Sequence, residues 1–273
     1  MPDSARDMIR NSVLGRMDAA SRQRAMAAPD GIVDASLRRS PAYENVITRT
    51  RYTEDALKSA VANGVSQYIL VGAGFDSFIL RRPEFAAHLE IFEIDHPATQ
   101  GLKRGRIAEL GISLPHSVHF IAADLSTESV ADALSRSAFR VDRHSFFSWL
   151  GVTMYLTREA NCATLRSIAR CALAGSELAL TYADERLLDS RSEKFLELQK
   201  RVTSMGEPFL SGFDPQGFGG TLRECGLELL EDLTADKVAQ RYGRVGSSSS
   251  ELSSFSHMAL ARVLQPGESR AKP

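Results

Sequence analysis

The sequence is poor in cysteine, has a single tryptophan, favours neither sign of charge and contains no long apolar run. Its 273 residues hold three cysteines, Cys162, Cys171 and Cys225. They lie far apart and form no Cys-x-x-Cys pair, which excludes a disulfide framework and a structural zinc site. No stretch of about 18 apolar residues occurs, so no membrane-spanning helix is expected. The polar start MPDSARDMIRNS lacks the apolar centre of a secretion signal. Reduced thiols and the missing leader together predict a cytoplasmic protein. Lysine and arginine number 33 against 34 acids, a formal net charge of -1. That balance gives no electrostatic footprint for a nucleic-acid partner. The arginines from Arg22 to Arg51 read as a solvated helical face. Nothing in the sequence specifies an oligomeric state.

What is present is an ordinary globular composition, 43% apolar and 25% charged, sufficient for a full core. The length suits one domain with an appended cap. Three parts are expected: a helical N-terminal cap over 1–62, a core over 65–184, and a last part over 185–264 holding lid helices, a loop and two final strands. Residues 3–28 read as helical, with breaks at Pro29-Asp30-Gly31 and Ser40-Pro41. A further helix is expected over 43–62, stopped by Asn63-Gly64.

Five short apolar runs then alternate with helical segments. They are QYILV (67–71), EIFEI (90–94), VHFIAA (118–123), SFFSWL (145–150) and ELALTY (177–182). Continuous apolar strands separated by helices predict a mostly parallel α/β sheet covered on both faces. Ligands of such sheets sit beyond the carboxyl ends of the strands. A helix is expected from Asp184 to about Ser204. The segment GEPFLSGFDPQGFGG (206–220) reads either as a lid or pocket wall, or as a connection with aromatic anchors. Residues 227–233 and 255–264 read as two last strands, an antiparallel pair, with the serine run 247–250 as their loop.

The distinctive residues lie at the strand ends. Gly72-Ala73-Gly74 follows the first strand, where glycine lets backbone approach a ligand closely. Asp95 follows the second strand, 21 residues beyond Gly74. A carboxylate there can accept both ribose hydroxyls of an adenosine ligand. Glu93 competes for that role, but an inward-facing carboxylate must be paired. Asp124 follows the third strand and can accept from an adenine amino group. The Leu125 amide beside it can donate to a ring nitrogen. Dinucleotide enzymes need no acid at that place, and Ser77 stands where their third glycine would be. Both points favour S-adenosylmethionine over NAD.

These strings are similar to a known family. YILVGAGFDSFILR, FEIDHPATQGLKRGRI, FIAADL and GVTMYL resemble the leucine carboxyl methyltransferase-like family, over roughly residues 43 to 184. The resemblance implies a class I methyltransferase, a Rossmann-like mostly parallel sheet with helices on both faces. It implies S-adenosyl-L-methionine as cofactor and S-adenosyl-L-homocysteine as product. It places Gly72 against the methionine part, with Ala73 and Gly74 beside it. It gives the cofactor carboxylate to an arginine before the core, either Arg49 or Arg51, with Arg49 fitting the spacing better. His96, next to Asp95, joins the cofactor-binding set. The family often carries Glu-Gly after the fourth strand, where Leu150-Gly151 stands here, so a charged pocket residue is expected to be missing.

Methyl transfer to oxygen needs alignment, and a base only for a hydroxyl acceptor. Candidates near the strand ends are His96, Tyr155, Tyr182 and Asp184, of which Tyr155 is best placed. The expected activity is O-methylation of a small-molecule carboxylate or hydroxyl, without a metal. Two rival readings remain: a cofactor-holding module without transfer, motivated by Leu150, and an NAD-dependent oxidoreductase.

Overall fold

A computed structural model describes residues 43–204, 208–243 and 254–265. The readings made for 1–42 and for the serine run 247–250 lie outside these residues. Helix α1 (Tyr43–Ala62) leads into β1 (Gln67–Val71). Then come α2 (Phe78–Arg81), β2 (Glu90–Asp95), α3 (Pro97–Glu109) and β3 (Val118–Ala122). Next are α4 (Val130–Ser135), β4 (Ser145–Trp149), α5 (Arg158–Cys171) and β5 (Glu177–Ala183). The last part holds α6 (Glu193–Ser204), α7 (Phe218–Glu224), β6 (Leu227–Thr234), α8 (Ala235–Arg241) and β7 (Ser256–Val263).

The seven strands form one sheet in the order β3-β2-β1-β4-β5-β7-β6. The first five are parallel. β7 runs antiparallel to both β5 and β6. Alternation along each strand feeds two cores. Ile69, Val71, Phe92, Phe147 and Trp149 meet Leu134 of α4, Ile168 of α5 and Leu222 of α7 on one face. Tyr68, Leu70, Ile91 and Phe146 meet Leu57 of α1, Phe78 of α2 and Ile107 of α3 on the other. Strands buried on both sides have no polar face to show, which is why they read as unbroken apolar runs.

Helix starts lie past the strand ends and are capped as their sequences demand. Ser129 accepts from Asp132 N at the head of α4, and Thr157 from Ala160 N at the head of α5. His96 precedes Pro97 and caps α3.

One expectation needs correction. The helix expected directly after Asp184 begins only at Glu193, behind a single 3₁₀ turn at Glu185–Leu187. The Asp184 carboxylate accepts from the Arg186 amide at 2.9 Å and grips the Arg186 guanidinium, while Glu185 N donates to Phe213 O. These bonds pin the chain in a turn. Ser192 then starts the helix, its hydroxyl accepting from Phe195 N. The segment 206–220 carries aromatic anchors over its described part. Phe213 and Phe218 are buried against Tyr182, and residues 218–220 open α7.

Gly212 shows why that segment needs glycine. A Cβ there would lie 2.7 Å from Glu185 Cα and 2.8 Å from Ala183 O. Both are backbone atoms that cannot step aside. Gly212→Ala is expected to cost about 1–3 kcal/mol through overpacking. Urea unfolding measures it, and an unchanged midpoint would show that the two chain segments separate without cost.

Candidate cofactor and active site

The chain turns sharply where β1 ends. Gly72 and Gly74 both take left-handed backbone, with φ of 66° and 50°. The amides of Gly72 and Ala73 donate to Ile94 O at 2.9 and 3.1 Å, holding the turn against β2. A Cβ on Gly72 would lie 2.9 Å from a methyl of Val152. Glycine is required there by conformation and by space.

A cavity of about 560 Å³ opens between this turn, the end of β4 and the inner side of α1. The turn contributes Gly72, Ala73, Gly74 and Asp76 to its wall; β4 contributes Ser148, and Leu150 and Gly151 come directly after it. From α1 come Arg49, Arg51 and Glu54. Among the described residues no group of three His, Cys, Asp or Glu could hold a metal ion.

Arg49 is half-buried, not part of a solvated face as its neighbourhood suggested. Its guanidinium lies on Gly151, where a Cβ would be 2.8 Å from Nη1 and 2.9 Å from Nη2. Burial pulls its pKa down, against the fields of Asp76 and Tyr155. Among the described residues no carboxylate hydrogen-bonds to it. Arg51 lines the cavity too, but its side chain is exposed. It pairs with Asp55 at 3.2 Å and lies over the Tyr242 ring.

The two candidate acids of β2, Glu93 and Asp95, separate cleanly. Glu93 is buried, with Lys103 Nζ 2.7 Å from both of its oxygens. Burial pushes its carboxyl up to about 7 against the pull of Lys103. Gln100 also donates to the Glu93 carbonyl. Glu93 is thus the paired core acid. Asp95, at the strand end, accepts from Gly74 N at 2.5 Å and from His96 N at 2.7 Å. It joins the glycine turn to the start of α3.

His96 is exposed, and its Nδ1 accepts from Ala98 N at 3.2 Å. Asp124 accepts from the Ser126 hydroxyl and amide, at 2.6 and 3.0 Å. Those bonds hold its carboxyl below the usual range, helped by nearby His96. Leu125 packs on the core beside it. Asp95, His96, Asp124 and Leu125 lie outside the cavity wall, along the ends of β2 and β3.

Tyr155 sits in a 3₁₀ turn after β4. Its ring stacks on Phe209 at 5.6 Å, and Phe209 stacks on Phe195 at 6.0 Å. Two other base candidates are withdrawn. Tyr182 is fully buried, donates to Asp232 at 2.5 Å and has its pKa raised beyond use by burial first and then by Asp232. Asp184 is bound to Arg186, which outweighs burial and keeps its carboxyl low.

Sequence reasoning missed Asp76, Glu54, Arg81 and Ser148. Arg81 grips Glu54 with both terminal nitrogens, one at 2.9 Å. Ser148 bonds the buried Tyr68 hydroxyl at 2.9 Å. The pocket expected to lack a charged residue therefore holds two carboxylates, although Leu150 itself is apolar.

This sheet order with a glycine turn after β1 is the class I methyltransferase fold. The chain superposes on a Thermobifida fusca YX structure, provisionally described as a methyltransferase, with a TM-score of 0.62. That match covers 95% of this chain and 94% of the other at 15% identity. A DUF574 family protein of Streptomyces avermitilis gives a TM-score of 0.57 at 16% identity, over 84% of this chain and 90% of that one. Residues 3–169 of the 273 match the family described as leucine carboxyl methyltransferase, and the chain belongs to that family.

YktD of Bacillus subtilis (strain 168), provisionally named an S-adenosyl-L-methionine-dependent methyltransferase, is 34% identical over 194 residues. The match covers 70% of this chain and 64% of YktD. A similarly named protein of Parafrankia sp. (strain EAN1pec) is 31% identical, over 58% of this chain and 49% of its own. The chain spans about half to two thirds of the length of these relatives. Among the described residues no helix is long and apolar enough to cross a membrane.

Proposed function

We propose that the protein is an S-adenosyl-L-methionine-dependent methyltransferase acting on an oxygen, carboxylate or hydroxyl, of a small molecule. The observation that carries this reading is Arg49. A half-buried guanidinium with no hydrogen-bonded carboxylate in the described structure faces a cavity walled by two glycine turns. Such a group is suited to a carboxylate brought by a ligand. The names of the relatives and the family membership support the same cofactor.

In this reading Arg49 binds the methionyl carboxylate, with Arg51 at the cavity mouth held by Asp55. Gly72, Ala73 and Gly74 allow close approach. Asp95 takes the ribose hydroxyls, Asp124 and the Leu125 amide the adenine, and His96 closes the edge between them. When bound, the cofactor supplies an electrophilic methyl group on a sulfonium. The chain's own work is to align the acceptor oxygen and exclude water. In the same reading Tyr155, which stacks on Phe209, orients the acceptor, and a carboxylate acceptor needs no base. The free thiols suit action in the cytoplasm.

Leu150 favours a second reading, a module that binds cofactor without transfer. Transfer of labelled methyl from the cofactor to a panel of organic acids and phenols separates the two. Substrate-dependent S-adenosylhomocysteine formation is expected; cofactor binding without any transfer to oxygen leaves only the module. Asp95→Ala removes charge-assisted hydrogen bonds of about 1.5–3 kcal/mol. Cofactor affinity is expected to fall about 10- to 100-fold. Calorimetric titration reads it, and an unchanged affinity removes the ribose assignment.

A further inference from the structure

The cavity carries three arginines and two carboxylates, and most of them are already occupied. Glu54 and Arg81 are bound to each other. Ser77 accepts from Arg81 Nε at 3.0 Å. Arg51 is held by Asp55. Ser148 is bonded to Tyr68. Two groups remain, Arg49 and Asp76. Asp76 uses Oδ1 to accept from Phe78 N at 2.7 Å, which fixes the side chain at the head of α2. Among the described residues no hydrogen bond engages Oδ2. Asp76 lines the cavity together with Arg49 and Arg81, and its field acts on Arg49.

One uncommitted cation and one half-committed anion in a single cavity complement a zwitterion. An α-amino-acid headgroup brings a carboxylate for the first and an ammonium for the second. We propose that Asp76 accepts a hydrogen bond from the α-ammonium of the cofactor's methionyl end, so that the cavity selects a zwitterionic amino-acid headgroup. The proposal rests on the cofactor reading above. It adds a second charged contact that discriminates among adenosine thioethers. A ligand with the carboxylate alone forgoes this contact and leaves Asp76 with its bond to Phe78 N alone.

The test is calorimetric titration of the full chain with S-adenosylhomocysteine and with its deaminated analogue, in which hydrogen replaces the amino group. The proteins are the wild type and Asp76→Asn. Asparagine keeps an oxygen for the Phe78 amide, so α2 stays capped, and matched melting temperatures check this. The wild type is expected to bind S-adenosylhomocysteine about 10- to 50-fold more tightly than the analogue. Asp76→Asn is expected to erase that preference, weakening the first ligand and changing the second by less than about twofold. Should the Asn variant melt early, Asp76→Ser must show the same selective loss. A variant that weakens both ligands equally, or neither, overturns the assignment of Asp76 while leaving the cofactor reading intact. A wild type that binds neither ligand overturns both.

Discussion

Arg49→Met lowers affinity for S-adenosylhomocysteine by about 2–4 kcal/mol, roughly 30- to 1000-fold, and leaves the ligand-free protein as stable as before. The two halves of this expectation have one cause. The Arg49 guanidinium is half-buried over Gly151 without a hydrogen-bonded carboxylate in the described structure. Ligand-free, it carries a desolvation cost that the fields of Asp76 and Tyr155 offset only in part, and methionine removes that cost while keeping the apolar stem. With ligand bound, the same substitution strands a carboxylate inside the cavity. Titration and thermal unfolding on one preparation read both quantities. A variant that binds as tightly as wild type would move the carboxylate contact to Arg51.

Lys103→Met is expected to destabilise the fold by about 3–5 kcal/mol above neutral pH, because it leaves Glu93 buried without its counter-charge. For a chain of this size that is a fall in melting temperature of about 10 °C. The loss depends on pH. Burial already raises the Glu93 carboxyl to about 7 from an ordinary 4.5, and Lys103 is what restrains it. Without Lys103 the folded carboxyl rises further. Above about 7 the folded variant then keeps a proton that the folded wild type releases. Stability relative to wild type therefore falls as pH rises, by at most about 1.4 kcal/mol per unit. The deficit should be smallest near pH 5 and largest near pH 8.5. The double variant Glu93→Leu, Lys103→Met should recover most of it. Urea unfolding at the two pH values decides, and a loss independent of pH would mean that Lys103 matters for packing alone.

The fold is largely legible in the sequence because its signals are local. The bounds of α1 and β1 come from one helical period, one apolar run and the Asn63-Gly64 stop between them. The antiparallel β6–β7 pair comes from two apolar runs. The turn after Asp184 is not legible, because Arg186, Phe213 and Phe255 fix it from three separate places along the chain.

The site shows the same division. The places of Asp95 and Asp124 at strand ends are readable from the apolar runs that precede them. The difference in burial between Arg49 and Arg51 is readable in principle. Arg49 shares a helical stripe with Tyr52, Thr53 and Ala60, all buried, whereas Arg51 lies on the stripe of Asp55, Lys58 and Ser59. The sequence shows that Glu93 needs a partner but not that Lys103 is the partner, because strand-to-helix contacts leave no periodic trace. Asp76 carries no assignment inside the glycine string, since a loop carboxylate has no face until the loop is folded.

The most direct test of the central claim compares thermal unfolding of the full chain with S-adenosylmethionine, S-adenosylhomocysteine, NAD and buffer. At about 100 times its dissociation constant a ligand adds roughly 2.7 kcal/mol, which raises the melting temperature by about 5–10 °C. The account predicts that rise with both sulfur ligands and none with NAD; a rise with NAD alone, or with none of the three, would contradict it.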